Sequence, residues 1–156
     1  INHLRKQPNQ LITNEIIITA SSIGENNIIE YNPYRAIQYK NQKFFSSQNQ
    51  PNSWICFEFK NHRIIPTHYT IQSYRSGGYA PINFKIEILN DKLEWEEIDR
   101  QNEAPFGFEK LKTLTFSINE NHQKETKSIR LTQLGKNSSR SDELIFNAIE
   151  FYGYLI

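Results

Sequence analysis

Alternation of apolar and polar residues with a period of two is the feature that most constrains what this chain can become. In SWICFEF, residues 53–59, the side chains of Ile55, Phe57 and Phe59 fall on one face of an extended strand and those of Trp54, Cys56 and Glu58 on the other. NFKIEIL, residues 83–89, repeats the pattern, with Phe84, Ile86 and Ile88 opposed to Lys85 and Glu87. Further strand candidates cover residues 15–21, 68–74, 94–99, 114–119, 128–134 and 144–153. Turns rich in Asn, Asp, Gly and Ser separate them, and no segment shows a helical stripe. About eight short strands of this kind predict an all-β sandwich or barrel.

At 156 residues the chain has the size of one domain with one core. Its hydrophobic fraction is only 37%, yet 10 Phe, 8 Tyr and 2 Trp supply enough apolar bulk to argue against disorder. Charge is balanced, with 18 basic against 17 acidic residues, so there is no basic stripe for a nucleic-acid backbone. The lone Cys56 has no internal disulfide partner, which favours a reducing, intracellular and cytoplasmic setting. No apolar run is long enough to cross a bilayer. The first residue is Ile1 and the opening stretch is polar without a period, so residues 1–14 read as a linker or the end of a neighbouring segment, with the domain over 15–156. The whole reads as part of a larger polypeptide.

Catalytic and metal chemistry find little support. No GxSxG elbow is present, and Cys56 sits in mid-strand among bulky residues, the place of a half-buried filler. His3, His62, His68 and His122 are scattered and lack zinc-ligand spacing. Glu94, Glu96 and Glu97 beside Trp95 read as a solvated strand face. The chain is expected to be non-enzymatic, without cofactor or dedicated metal site.

The ordered segments ITASS, NPYRA, FFSS, SWICFEF, IIPTHYTIQSY, INFKIEILNDKLEWEEID, KSIRLTQLGKNSS and LIFNAIEFYG resemble the discoidin, or factor V/VIII type C, domain. That family lies within the galactose-binding-like jelly-roll β-sandwiches, and the likeness runs over about residues 16–154. The most telling pieces are residues 54–59, the Asn90-Asp91 turn followed by Trp95, Ile129-Arg130-Leu131, and the closing residues 149–153. They also have a plain physical reading. Asn90-Asp91 suits a tight hairpin, because both residues tolerate left-handed geometry and bond their own backbone. Arg130 and Glu150 each stand between two core residues and so point away from the core, where Arg130 is expected to pair with Glu150 or Glu58. Trp54, Trp95, Arg130, Glu150 and Gly153 are thus assigned to the scaffold.

The resemblance implies three spike loops at one end of the sandwich, at residues 22–32, 39–45 and 74–81, with the loop 135–143 opening on the same edge. Asn26, Asn27, Ile28, Ile29 and Tyr31 of the first spike, Tyr74, Arg75 and Tyr79 of the third, and Asn137 and Arg140 of the late loop form the expected exposed binding set. The favoured partner is a protein or peptide, the role that intracellular discoidin-like domains take beside BTB, kelch or ubiquitin-ligase domains, because Tyr, Arg and aliphatics make good hot spots.

A lectin-like, carbohydrate-binding role is the alternative. Arg75 falls where sugar-binding relatives place an arginine, but Tyr79 stands where they carry an asparagine, and the second spike has no matching histidine. A phospholipid-membrane role comes third. The apolar tip Ile28-Ile29 suits it, whereas the flanking Glu25 and Glu30 and the Tyr154 in place of a second cysteine oppose it. Some relatives hold a loop calcium ion through backbone carbonyls, which leave no trace in sequence.

Overall fold

Each segment with period two supplies a strand, and two very short strands, one of them split from residues 144–153, join them. The computed structural model describes residues 15–24, 33–37 and 44–156. The expected linker at 1–14, the first-spike tip with Asn26, Asn27, Ile28, Ile29 and Tyr31, and residues 39–43 of the second spike lie outside the described residues.

The strands are β1 (Ile16–Ala20), β2 (Phe45–Ser46), β3 (Trp54–Phe59), β4 (Ile64–Gln72), β5 (Phe84–Leu89), β6 (Trp95–Gln101), β7 (Thr113–Ser117), β8 (Ser128–Gln133), β9 (Ile145–Phe146) and β10 (Ala148–Leu155). One sheet has five strands in the order β1-β3-β8-β5-β6 and the other has three, β10-β4-β7, with a separate β2-β9 ladder. All pairings are antiparallel. This is the all-β sandwich that the periodicity predicts and the jelly roll that the discoidin resemblance implies, with short 3-10 turns at Pro33–Ile37 and Glu120–His122.

The core forms because register aligns the apolar faces. Ile55, Phe57, Leu131, Ile129 and Ile86 line the inner face of the larger sheet, and Ile71, Tyr69, Ile149 and Phe151 that of the smaller, all buried. Tyr69 stacks on Phe116 with ring centroids 5.1 Å apart, and Phe57 meets Phe151 edge-on at 5.5 Å across the sandwich. Each such aromatic adds about 1.5–3 kcal/mol by burial. The Tyr69 hydroxyl donates to Asp99 Oδ2 at 2.5 Å, which satisfies a buried polar group and ties β4 to β6. Burial first, then the Asp99 carboxylate, push the Tyr69 phenol well above its usual range.

Three expectations need correction. Arg130 pairs with neither Glu150 nor Glu58. Register sets it beside Glu87 of β5, whose Oε1 accepts from Arg130 Nε at 3.2 Å and the guanidinium NH2 at 3.0 Å. Glu150 lies on the other sheet, turned away from the core and yet buried, where it accepts from the Tyr152 hydroxyl at 2.9 Å. Two outward-facing residues on opposite sheets cannot meet.

Second, residues 144–153 do not make one strand. The chain breaks at Asn147, whose backbone N–H bonds the Gln72 carbonyl and whose side-chain amide bonds Gln72 Oε1, so β9 turns to β2 and β10 to β4. Third, in the hairpin after β5, Asn90 Oδ1 does accept from the backbone of Lys92 and Glu94, but the left-handed residue is Leu93, at φ 60°.

The outer face of the larger sheet carries a closed cluster. The Arg130 guanidinium lies 4.1 Å from the Trp95 ring centroid and 5.9 Å from that of Trp54. Below it Glu87, only 4% exposed, also accepts from Thr132 Oγ1 and pairs with Lys85 Nζ at 3.1 Å. Desolvation raises the Glu87 pKa, but the bonds from Lys85, Thr132 and Arg130 outweigh it and hold the carboxyl below its ordinary value. Cys56 sits beside this cluster on β3, half-buried, and desolvation pushes its thiol up to about 11. Gly153 marks a bulge in the β10–β4 pairing, where a Cβ would come within 2.0 Å of the Ile65 carbonyl oxygen. Only glycine permits that approach.

Both ends of the described chain meet at the β3–β4 turn. The Glu15 carbonyl accepts from Lys60 N–H, and Ile156 exchanges backbone bonds with Arg63. The third spike and the late loop lie at the opposite pole, where β4 and β8 end and β5 begins.

Candidate functional site

At that far pole the third spike and the late loop are locked together by short polar residues. The backbone N–H of Tyr79 donates to Ser139 Oγ, that of Ala80 to Ser138 Oγ, and Ser138 N–H to the Ala80 carbonyl. Gly77, Gly78 and Tyr79 all adopt positive φ, at 76°, 69° and 51°, which curls the spike tightly back on itself. An aromatic residue at φ 51° is uncommon. Asparagine fits that conformation with less strain, in keeping with the asparagine that the discoidin resemblance implies there.

The late loop is built around Asn137. Its Oδ1 accepts from the backbone of Ser139 and Ser141, and its Nδ2 donates to the Glu143 carbonyl. It is 2% exposed, so it does not belong to the exposed set in which the sequence placed it. A side chain that satisfies three backbone groups is a loop organiser. Arg140, at φ 61°, is exposed at the turn, as expected.

Between the spike and the β2–β3 connection lies a cleft of about 520 Å³, bordered by Phe44, Gln48, Asn49, Tyr74, Tyr79 and Glu143 among others. Three rings form one wall. Phe44 and Tyr74 meet edge-on at 4.7 Å, and Tyr74 and Tyr79 at 6.2 Å. The Arg75 guanidinium rests 5.3 Å from the Phe44 centroid. Opposite them, Asn49 Oδ1 accepts from Asp142 N–H at 2.9 Å, and Lys136 pairs with Asp142 at 2.5 Å. The arrangement presents flat apolar faces beside amide, hydroxyl and carboxylate groups, the combination that recognises a ligand with both C–H faces and hydroxyls.

Of the expected binding residues, the fold thus brings Tyr74 and Tyr79 to one cleft, sets Arg75 at its border against Phe44, and places Arg140 in the adjoining loop. Sequence reading missed Gln48, Asn49 and Glu143. The stretch SSQNQPN reads as an ordinary polar turn, and only the pairing of β2 with β9 carries it to the cleft. Among the described residues no group of three His, Cys, Asp or Glu side chains is placed to hold a metal ion.

The two-sheet jelly roll with its loops gathered at one end has the galactose-binding-like fold. Comparison with solved structures bears out that fold. The F5/8 type C domain of a Bacteroides fragilis protein superposes with a TM-score of 0.73 at 14% identity, covering 88% of this chain and 91% of that one. The CBM32-5 module from Clostridium perfringens, in complex with GalNAc-β-1,3-galactose, gives 0.70 at 12% identity over 88% and 95% of the two chains. A chitosan-binding module from a chitosanase/glucanase of Paenibacillus sp. IK-5 gives 0.67 at 15% identity over 89% and 96%. No family model matches the chain, and no curated protein matches it by sequence.

Proposed function

We propose that this domain is a carbohydrate-binding module that takes its ligand in the cleft between the third spike and the β2–β3 connection. The observation that carries this reading is the wall of Phe44, Tyr74 and Tyr79 facing the polar groups of Gln48, Asn49 and Glu143. Sugar rings need this pairing of an apolar face with directional donors and acceptors. Two of the structures sharing the fold are described by the glycans they bind, which favours the sugar reading over the protein partner preferred from sequence. In this reading Tyr79 stacks on the sugar, Arg75, held over Phe44, donates to its hydroxyls, and Asn49 and Glu143 complete the polar side.

Electrophoresis through gels containing soluble polysaccharides, followed by a glycan microarray, tests the proposal. Retention by at least one glycan, weakened by Tyr79→Ala and Arg75→Ala in folded protein, is the expected result. A folded domain that binds no glycan, or binds one without regard to these two residues, overturns it.

A further inference from the structure

The loop between β6 and β7 adds a feature that the cleft does not use. Phe108, in that loop, is 71% exposed, and Leu111 and Tyr79 beside it are also exposed. The other exposed large apolar residues among the described ones, Leu93, Tyr154 and Ile156, belong to the β5–β6 hairpin and the last strand, away from the spike loops. An isolated exposed phenylalanine needs no explanation, but one set against a binding cleft does.

The contact between this loop and the spike is close. The Leu111 N–H donates to the Tyr74 carbonyl, and Ser73 N–H to that of Lys112. A Cβ on Gly77 would stand 2.4 Å from the Phe108 carbonyl oxygen, and one on Gly78 would touch both Ser139 Oγ at 2.9 Å and the Phe108 ring at 3.8 Å. The spike can seat the loop only because these two positions lack side chains. The same absence brings the Phe108 ring up to the backbone next to Tyr79, whose ring is on the cleft wall.

We infer that Phe108 is a second stacking platform, so that the ligand is a glycan chain of several units running from the cleft over Gly77 and Gly78 onto the Phe108 ring. This rests on the carbohydrate reading of the cleft and adds to it the class of ligand: an oligosaccharide or polysaccharide, bound along its length, in place of a single terminal sugar. Stacking needs only an aromatic face and an apolar sugar face, so the second platform contributes affinity with little selectivity, while the polar groups of the cleft select the sugar.

The test is calorimetric titration of wild type, Phe108→Ala and Phe108→Trp with chitosan, polygalacturonate and β-1,4-galactan oligosaccharides of two and six units. For whichever chemistry binds, the longer chain should bind wild type about tenfold more tightly than the shorter. Phe108→Ala should remove that gain and leave the disaccharide unaffected, and Phe108→Trp should restore it. Equal affinity for both lengths in wild type, or a length gain that survives Phe108→Ala, overturns the inference while leaving the cleft reading intact. Phe108-dependent flotation with phosphatidylserine-containing vesicles would assign the ring to a membrane and also overturn it. Failure of every glycan defeats the carbohydrate reading, and this inference with it.

Discussion

Two places in this molecule set an arginine against aromatic rings, and they differ in what else the arginine meets. On the outer face of the larger sheet, Arg130 lies against Trp95, with Trp54 further off, and its guanidinium is tied to the buried Glu87 carboxylate. At the loop pole, Arg75 is exposed and rests on Phe44 beside an open cleft. Both set a cation against an aromatic ring. In the first, strand register places the Glu87 carboxylate directly across from the arginine and closes the cluster. In the second, the arginine rests on a loop residue at the border of a cleft.

The comparison can be broken by experiment, starting where the contrast is largest. Glu87→Ala leaves the half-buried guanidinium of Arg130 without its carboxylate and should cost about 2–3 kcal/mol in urea denaturation. Arg75→Ala should do the converse, lowering glycan affinity about tenfold while changing stability by no more than about 0.5 kcal/mol. If the two substitutions have the same profile, the distinction between closed and open clusters is wrong. At pH 8, a thiol pushed up to about 11 from 9.0 holds about a hundredfold less thiolate, and because thiolate nucleophilicity rises with pKa, Cys56 should react with a disulfide reagent about tenfold more slowly than an unperturbed cysteine. Reaction at the ordinary rate in native protein would show that the outer face is open.

The smallest effect is in the pH dependence. Because the Glu87 carboxyl is held below its ordinary 4.5 in the folded state, its stabilisation is present above that value and lost as pH falls through the lower, folded-state pKa. Glu87→Gln should therefore flatten the acid limb of a thermal unfolding profile and leave glycan binding at neutral pH unchanged. An acid limb with the same slope in both proteins would show that other carboxylates set it.

Most of the scaffold was legible because alternation is a local signal. Ile55, Phe57 and Phe59 announce their strand without reference to any other part of the chain. What failed needed knowledge of which strand lies beside which. Arg130 was expected beside Glu150 or Glu58, and only the β5–β8 register brings Glu87 to it. Phe45-Ser46 and Ile145-Phe146 are too short to display a period, so the β2–β9 ladder was invisible, and with it the route by which Asn49 reaches the cleft. Of the candidate cleft, Tyr74 and Tyr79, with Arg75 at its border, are among the residues that the discoidin resemblance implied. Asn137 misled because polar loop residues are usually exposed, whereas this one folds its loop around its own amide. Phe108 gave no signal, since an aromatic in a polar loop looks like core until its exposure is known.

The meeting of Glu15 and Ile156 at the β3–β4 turn has a mechanical consequence. Both residues lie at the pole opposite the cleft, so a second binding unit fused directly at either one would leave from the side away from the mouth. A second binding unit joined there would not compete for the mouth. It would raise the local concentration of one site around a ligand already held by the other, turning a weak grip into avidity along a polymer.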